Sequence, residues 1–164
     1  MKKFVKHSAL AAALLLAAVA SAAPATAAGY VVKVSVTDTT ADIDLTMKLG
    51  MAMAGDMSKA TMALKADPAT VPAGEVTFEL SNDSKTVVHE MIVALVADPS
   101  KPMPFNANEN RVEEDKAGDV GEVSELDPGK TGSLKITLKP GTYLLYCNVP
   151  GHYMSGMWTT LTVK

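Results

Sequence analysis

The stretch YCNVPGHYMSGMW, residues 146–158, sets a thiol, an imidazole and a thioether at equal steps of five: Cys147, His152 and Met157. Thiolate and thioether are soft donors and imidazole is borderline, so the three together suit a soft or borderline metal. Zinc would accept the Cys and the His, but a structural zinc site wants four firm nitrogen or sulfur donors, and thioether is a poor one. Two His, one Cys and a weak Met make instead the donor set of a copper ion that shuttles between Cu(I) and Cu(II) and carries one electron. The loop lacks the second His of that set.

Counting the histidines supplies it. The chain contains His7, His89 and His152. His7 sits in an N-terminal segment that reads as a leader. Lys2, Lys3 and Lys6 make a basic start, Ser8 to Ala20 is a short apolar run, and Ala25-Thr26-Ala27-Ala28 gives a small-residue cleavage pattern. A membrane span needs about 20 apolar residues, more than this run offers. Residues 1–28 are therefore expected to be a signal peptide, which sends the mature chain to the periplasm and removes His7. His89, in Val87-Val88-His89-Glu90-Met91-Ile92, then completes the set, and no Cys or His is left over. A single Cys in an exported chain has no internal disulfide partner, and metal ligation would shield it from oxidation.

Removing the leader takes Lys plus Arg from 15 to 12 against 18 acids, a net charge of about −6. That balance argues against nucleic acid and against insertion of the mature chain in a membrane, and it is compatible with a basic protein partner. About 136 residues remain from Gly29 onward, enough for one domain with a core of its own. A monomer is expected.

The elements that must place the four side chains read as strands. Tyr30–Val36 is one candidate. Glu75–Ser81 and Ser133–Lys139 alternate apolar and polar at period two, and Trp158–Val163 is rich in β-branched residues. Val87–Ala97 is a longer apolar run, fit for a strand buried on both faces. Turn residues separate them at Pro72-Ala73-Gly74, Asn82-Asp83-Ser84, Pro128-Gly129 and Pro140-Gly141. Short strands with such punctuation predict an all-β sandwich. Tyr143–Cys147 should lead into the loop and Trp158 should lead out, so Cys147 and Met157 fall at the two ends of a hairpin-like connection. Residues 29–58 are expected to hold the N-terminal strand and a Met-rich loop, and 59–164 the copper-binding body, within one domain at 29–164.

Two stretches break the strand rhythm. Thr39–Lys59 carries Met47, Met51, Met53 and Met57 among Gly and Ala, with Met62 beyond. It reads as a loop whose methionines pack irregularly or, on the rival reading, form a secondary Cu(I) site of a copper-trafficking or copper-resistance protein. Asp98–Asp127 turns acidic from Glu109 onward and reads as a solvated insertion with a short helix near Glu109–Lys116, or as a steering surface for a basic partner.

The loop YCNVPGHYMSGM resembles the copper loop of the cupredoxins, and its Cys-x4-His-x4-Met spacing is similar to that of rusticyanin-type members. Asp67–Phe78 followed by His89-Glu90 resembles the family's first half. The resemblance covers roughly Lys59–Lys164. It implies a Greek-key β-sandwich with one copper at one end, His89, Cys147 and His152 as equatorial ligands and Met157 as the axial one. It also implies that His152 reaches the surface, with Pro150, Tyr153 and Met154 forming a small docking patch for a redox partner such as a c-type cytochrome or terminal oxidase. Glu90 and Asn148, each beside a ligand, are expected to surround the donors. Glu90 stands where many members carry an Asn or Ser that donates to the thiolate, or it is a strand-edge acid paired with a lysine. With all four positions held by protein there is no open site for a substrate, so a carrier is expected and not an enzyme. A Cys–His nucleophile reading lacks any oxyanion motif.

Overall fold

A computed structural model of the chain describes residues 29–40 and 42–164. The expected leader, 1–28, lies outside the described residues. Along the chain run β1 (Tyr30–Asp38), β2 (Met62–Asp67), β3 (Thr70–Val71), β4 (Gly74–Asn82) and β5 (His89–Val96). After them come β6 (Phe105–Asn106), β7 (Arg111–Val112), the one-turn helix α1 (Glu114–Ala117), β8 (Asp119–Leu126), β9 (Thr131–Leu138), β10 (Gly141–Tyr146) and β11 (Trp158–Val163). One sheet has the order β2-β1-β4-β9 and the other β3-β11-β10-β5-β8, with β6 and β7 as a small hairpin apart. The all-β sandwich expected from the strand pattern is what forms.

Side-chain alternation decides how the sheets face. In β4, Val76, Phe78 and Leu80 are at most 1% exposed while Glu75 and Glu79 point outward. In β1, Val32, Val34 and Val36 take the same inward positions. Each such side chain contributes roughly 1.5–3 kcal/mol when it leaves water. They meet Met91 and Val93 of β5 and Tyr143 and Leu145 of β10 in the main core.

β5 from Met91 to Ala94 and β10 from Tyr143 to Tyr146 are apolar without alternation because both of their faces are covered. The odd-numbered set just named faces the sandwich. Ile92, Ala94, Val96, Leu144 and Tyr146 face a second core, closed by Met51, Met103, Val112, Ala117, Tyr153 and Met154 from the long connections. That second layer explains the continuous run at 87–97, which a single-faced strand would not need.

Three elements depart from expectation. Met62–Asp67 forms an edge strand, antiparallel to β1 from Lys33↔Asp67 to Asp38↔Met62. Residues 119–126 are not a solvated insertion: they are the edge strand β8, paired with β5, with Val123 buried. The short helix occupies Glu114–Ala117, at the end of the stretch expected to hold it. Among the described residues, Thr39–Lys59 lacks strands, as expected, and contains one turn of 3-10 helix at Met57–Lys59.

Candidate metal centre

The loop 147–157 leaves β10 and returns as β11, and its backbone bonds draw its ends together. Cys147 N–H donates to Met157 O at 3.1 Å, and Met157 N–H donates to His152 O at 3.1 Å. The first turn closes when His152 N–H donates to Val149 O at 3.0 Å. A one-turn 3-10 helix, Tyr153–Ser155, follows. Gly151 has φ +85°, where a β-carbon would be strained, and that carbon would also lie 2.5 Å from Ile43 Cγ2.

His89 arrives from the opposite direction, on β5. The turn before it is pinned by Asn82, whose Nδ2 donates to Val87 O at 2.9 Å and to Leu126 O at 2.8 Å. Ser84 Oγ accepts from Val87 N–H at 2.9 Å. The β5–β8 register shifts between His89 and Met91. Such an irregularity re-aims side chains at the end of a strand, and here both His89 and its neighbour Glu90 are buried.

Three donors therefore converge. The ligand atoms of His89, Cys147 and His152 all lie within 4.8 Å of one another. His152 Nδ1 is 3.1 Å from His89 Nδ1 and 3.3 Å from Cys147 Sγ. The three residues are at most 1% exposed. Met157 is fully buried and packs in the same core cluster as Cys147.

Burial also sets the charge of the donors. It holds both imidazoles below their ordinary value, His152 down to about 4 with His89 adding to the effect. For His89 the Asp38 carboxylate works the other way. Both rings are thus neutral near pH 7, the form that binds metal. Burial pushes the Cys147 thiol up to about 12, against the pull of the Glu90 and Val149 amides. Without a cation the sulfur keeps its proton; metal ligation supplies the charge that removes it.

Glu90 and Asn148 link the donors to their surroundings. Glu90 N–H donates to Cys147 Sγ at 3.5 Å, so the hydrogen bond to sulfur comes from backbone. The Glu90 carboxylate turns away and accepts from Asn148 N–H at 3.0 Å. Among the described residues it has no lysine partner, which removes the strand-edge ion-pair reading of Glu90. Burial, then Glu125, raises this carboxyl to about 7. Asn148 joins the loop to the β6–β7 region: Oδ1 accepts from Val112 N–H at 2.7 Å, and Nδ2 donates to Val112 O at 3.0 Å and Glu114 Oε1 at 2.6 Å.

Two expectations are corrected. His152 does not reach the surface, being 1% exposed, and Tyr153 and Met154 belong to the second core while Pro150 is exposed. The segment 43–55 lies against the loop at these residues. Leu49 N–H donates to Met154 O at 3.0 Å, Tyr153 Oη accepts from Met51 N–H at 2.8 Å, and Trp158 Nε1–H donates to Leu49 O at 2.6 Å. The methionines of this segment do not share one environment. Met51 is buried in the second core, Met53 packs partly against it and Met57 is 45% exposed; Met47 is half-buried.

Sequence reasoning missed Asp38. Its Oδ1 lies 3.1 Å from His89 Nε2, across 51 residues of sequence. It lies two residues beyond the strand candidate Tyr30–Val36, a position that names no partner.

A β-sandwich with a buried Cys–His–His cluster at one end is the architecture of a copper protein. A family model described as copper binding proteins, plastocyanin/azurin family, matches residues 51–164, and the chain belongs to that family. The resemblance to the cupredoxins is thereby borne out, as is copper as the cofactor. Auracyanin-B from Chloroflexus aurantiacus is 54% identical over 39 residues, a stretch that makes up 23% of this chain and only 17% of that protein. Reduced auracyanin from Roseiflexus castenholzii superposes with a TM-score of 0.50 at 19% identity, over 84% of this chain and 98% of that one. Rusticyanin from Thiobacillus ferrooxidans gives 0.50 at 18% identity, over 84% and 79%. These two likenesses show the fold.

Proposed function

We propose that this chain is an exported blue-copper protein that carries single electrons between redox partners, with His89, Cys147, His152 and Met157 holding the ion. The carrying observation is the buried convergence of one thiol and two neutral imidazoles within 4.8 Å. The donor chemistry suits copper: one soft sulfur, two borderline nitrogens, and the buried thioether of Met157, whose backbone bonds both Cys147 and His152. Copper bound there would supply a one-electron couple.

The protein's part is to keep the donors where they are. Cys147 and Met157 are tied across the mouth of the hairpin, His89 is fixed by the Asn82 turn, and the segment 43–55 lies against Tyr153 and Met154, next along the loop from the buried His152. A pocket that moves little between oxidation states keeps the reorganisation cost of transfer low. Four protein donors leave no place for a substrate, which favours a carrier over an oxidase or reductase. A partner such as a c-type cytochrome would meet the end bearing the loop, where Pro150 and Leu45 are exposed. The leader-like residues 1–28 support a periplasmic location. The burial of Met51 in the core favours packing over a dedicated Cu(I) store.

The test is the visible and EPR spectrum of the purified protein loaded with copper. One equivalent bound, with an intense thiolate-to-copper band and a type 1 EPR signal, is the expected result. A colourless protein with an ordinary square-planar Cu(II) signal would refute the reading.

A further inference from the structure

We propose that Asp38 is a positioning residue for the copper centre, orienting His89 through Nε2 and biasing the bound ion toward its divalent state. The inference rests on His89, Cys147 and His152 being ligands. The geometry is that of a histidine held from behind. Asp38 Oδ1 lies 3.1 Å from His89 Nε2, with the two side chains 8% and 0% exposed. The opposite ring nitrogen, Nδ1, is 3.1 Å from His152 Nδ1 and belongs to the cluster with Cys147.

A carboxylate can only accept a hydrogen bond. The single proton of a neutral His89 therefore sits on Nε2, and the Nδ1 lone pair faces the other donors. The ring cannot turn without leaving two buried groups unpaired, a loss of about 1–3 kcal/mol each. The residues come from different sheets: Asp38 ends β1, and His89 begins β5. Their bond thus ties the two layers together at the end that carries the loop.

Charge gives Asp38 its second role. Beside a thiolate, a divalent ion leaves one net positive charge and a monovalent ion leaves none. A nearby carboxylate in a poorly solvated setting favours the former. It also raises the basicity of the imidazole it bonds, as carboxylates behind metal-bound histidines do.

Two substitutions separate these roles. Asp38→Asn keeps an acceptor oxygen for Nε2–H and removes the charge; Asp38→Ala removes both. On the purified full chain, Cu(II) affinity is measured by competition with a chelator, midpoint potential by voltammetry, and the denaturation midpoint on the metal-free forms. Asp38→Ala is expected to weaken Cu(II) binding about 10–100-fold. Each tenfold loss not shared by Cu(I) raises the potential by about 59 mV. Asp38→Asn is expected to lose less affinity than Asp38→Ala and still to raise the potential. Wild-type affinity and potential in both variants, with only the metal-free midpoint lowered, would overturn the proposal, leaving Asp38 a strap between sheets and the ligand assignment untouched. A wild-type chain that binds no copper at this cluster would instead overturn the ligand assignment, and this inference with it.

Discussion

Glu90 holds Cys147 from its backbone and not from its side chain: the amide N–H is 3.5 Å from Sγ, while the carboxylate bonds Asn148 N–H at 3.0 Å on the far side of the Cys. The β5–β8 register shifts beside this residue. A hydrogen bond to the sulfur therefore survives any substitution of Glu90 that keeps the strand, while the carboxyl acts on stability through its charge and its bond to Asn148 N–H.

The metal-free protein should show this in its pH dependence. His152, held at about 4, and His89, also lowered, are neutral in the fold but protonate in the unfolded chain below about pH 6.5, so their contribution is present above that pH and is lost as pH falls. Glu90, held at about 7, stays protonated in the fold while the unfolded chain ionises, so its contribution is present at low pH and is lost as pH rises through 7. With two groups against one, the thermal midpoint should rise from pH 4.5 to 6.5. Glu90→Gln should make that rise steeper and remove the decline toward pH 7. Scanning calorimetry of the two metal-free proteins checks both; equal slopes would show that Glu90 is ionised in the fold.

Cys147→Ser should abolish the thiolate-to-copper colour while leaving the fold in place, since an oxygen of similar size occupies the same buried position. The readout is the visible spectrum with far-UV circular dichroism as the fold control. A variant that remains intensely blue would remove Cys147 from the ligand set.

Met157→Leu should keep copper and raise the midpoint potential, because the weak thioether donor to Cu(II) is lost and the buried volume is nearly conserved. Its cost to the fold should be under about 1.5 kcal/mol. Voltammetry and chemical denaturation measure the two effects, and an unchanged or lower potential contradicts the axial role.

Asn148→Ala should destabilise the metal-free fold by about 1–3 kcal/mol, because it orphans the buried Val112 N–H and C=O and releases Glu114. Asn148→Asp should do no better: it keeps an acceptor for Val112 N–H but sets a second carboxylate against Glu114. Urea denaturation midpoints decide it; a loss of less than a few tenths of a kcal/mol would mean that water replaces the clamp.

Much of this protein was legible in one dimension because its chemistry is local or countable. Cys147, His152 and Met157 stand on one loop, and His89 is the one other histidine in residues 29–164, so composition named the cluster before any fold was known. Period-two alternation in β4 and β9 located strands for the same reason: burial on one face writes itself along the chain. Where contacts join distant segments, the signal vanished. Met62–Asp67 carries little alternation, and β8 is so charged along its outer face that it reads as solvated until its pairing with β5 is seen.

The tertiary structure alone decided what surrounds the donors. Asp38 meets His89 only because two sheets stack, and the Glu90 amide meets the Cys147 sulfur only because β5 lies beside β10. Tyr153 and Met154 look like surface residues of a loop, yet segment 43–55, about a hundred residues earlier in the chain, bonds to both. The identity of a ligand is a property of its atoms, which the sequence states outright. Its orientation, its hydration and the field it feels depend on neighbours brought in by packing, and packing is settled by the whole chain at once.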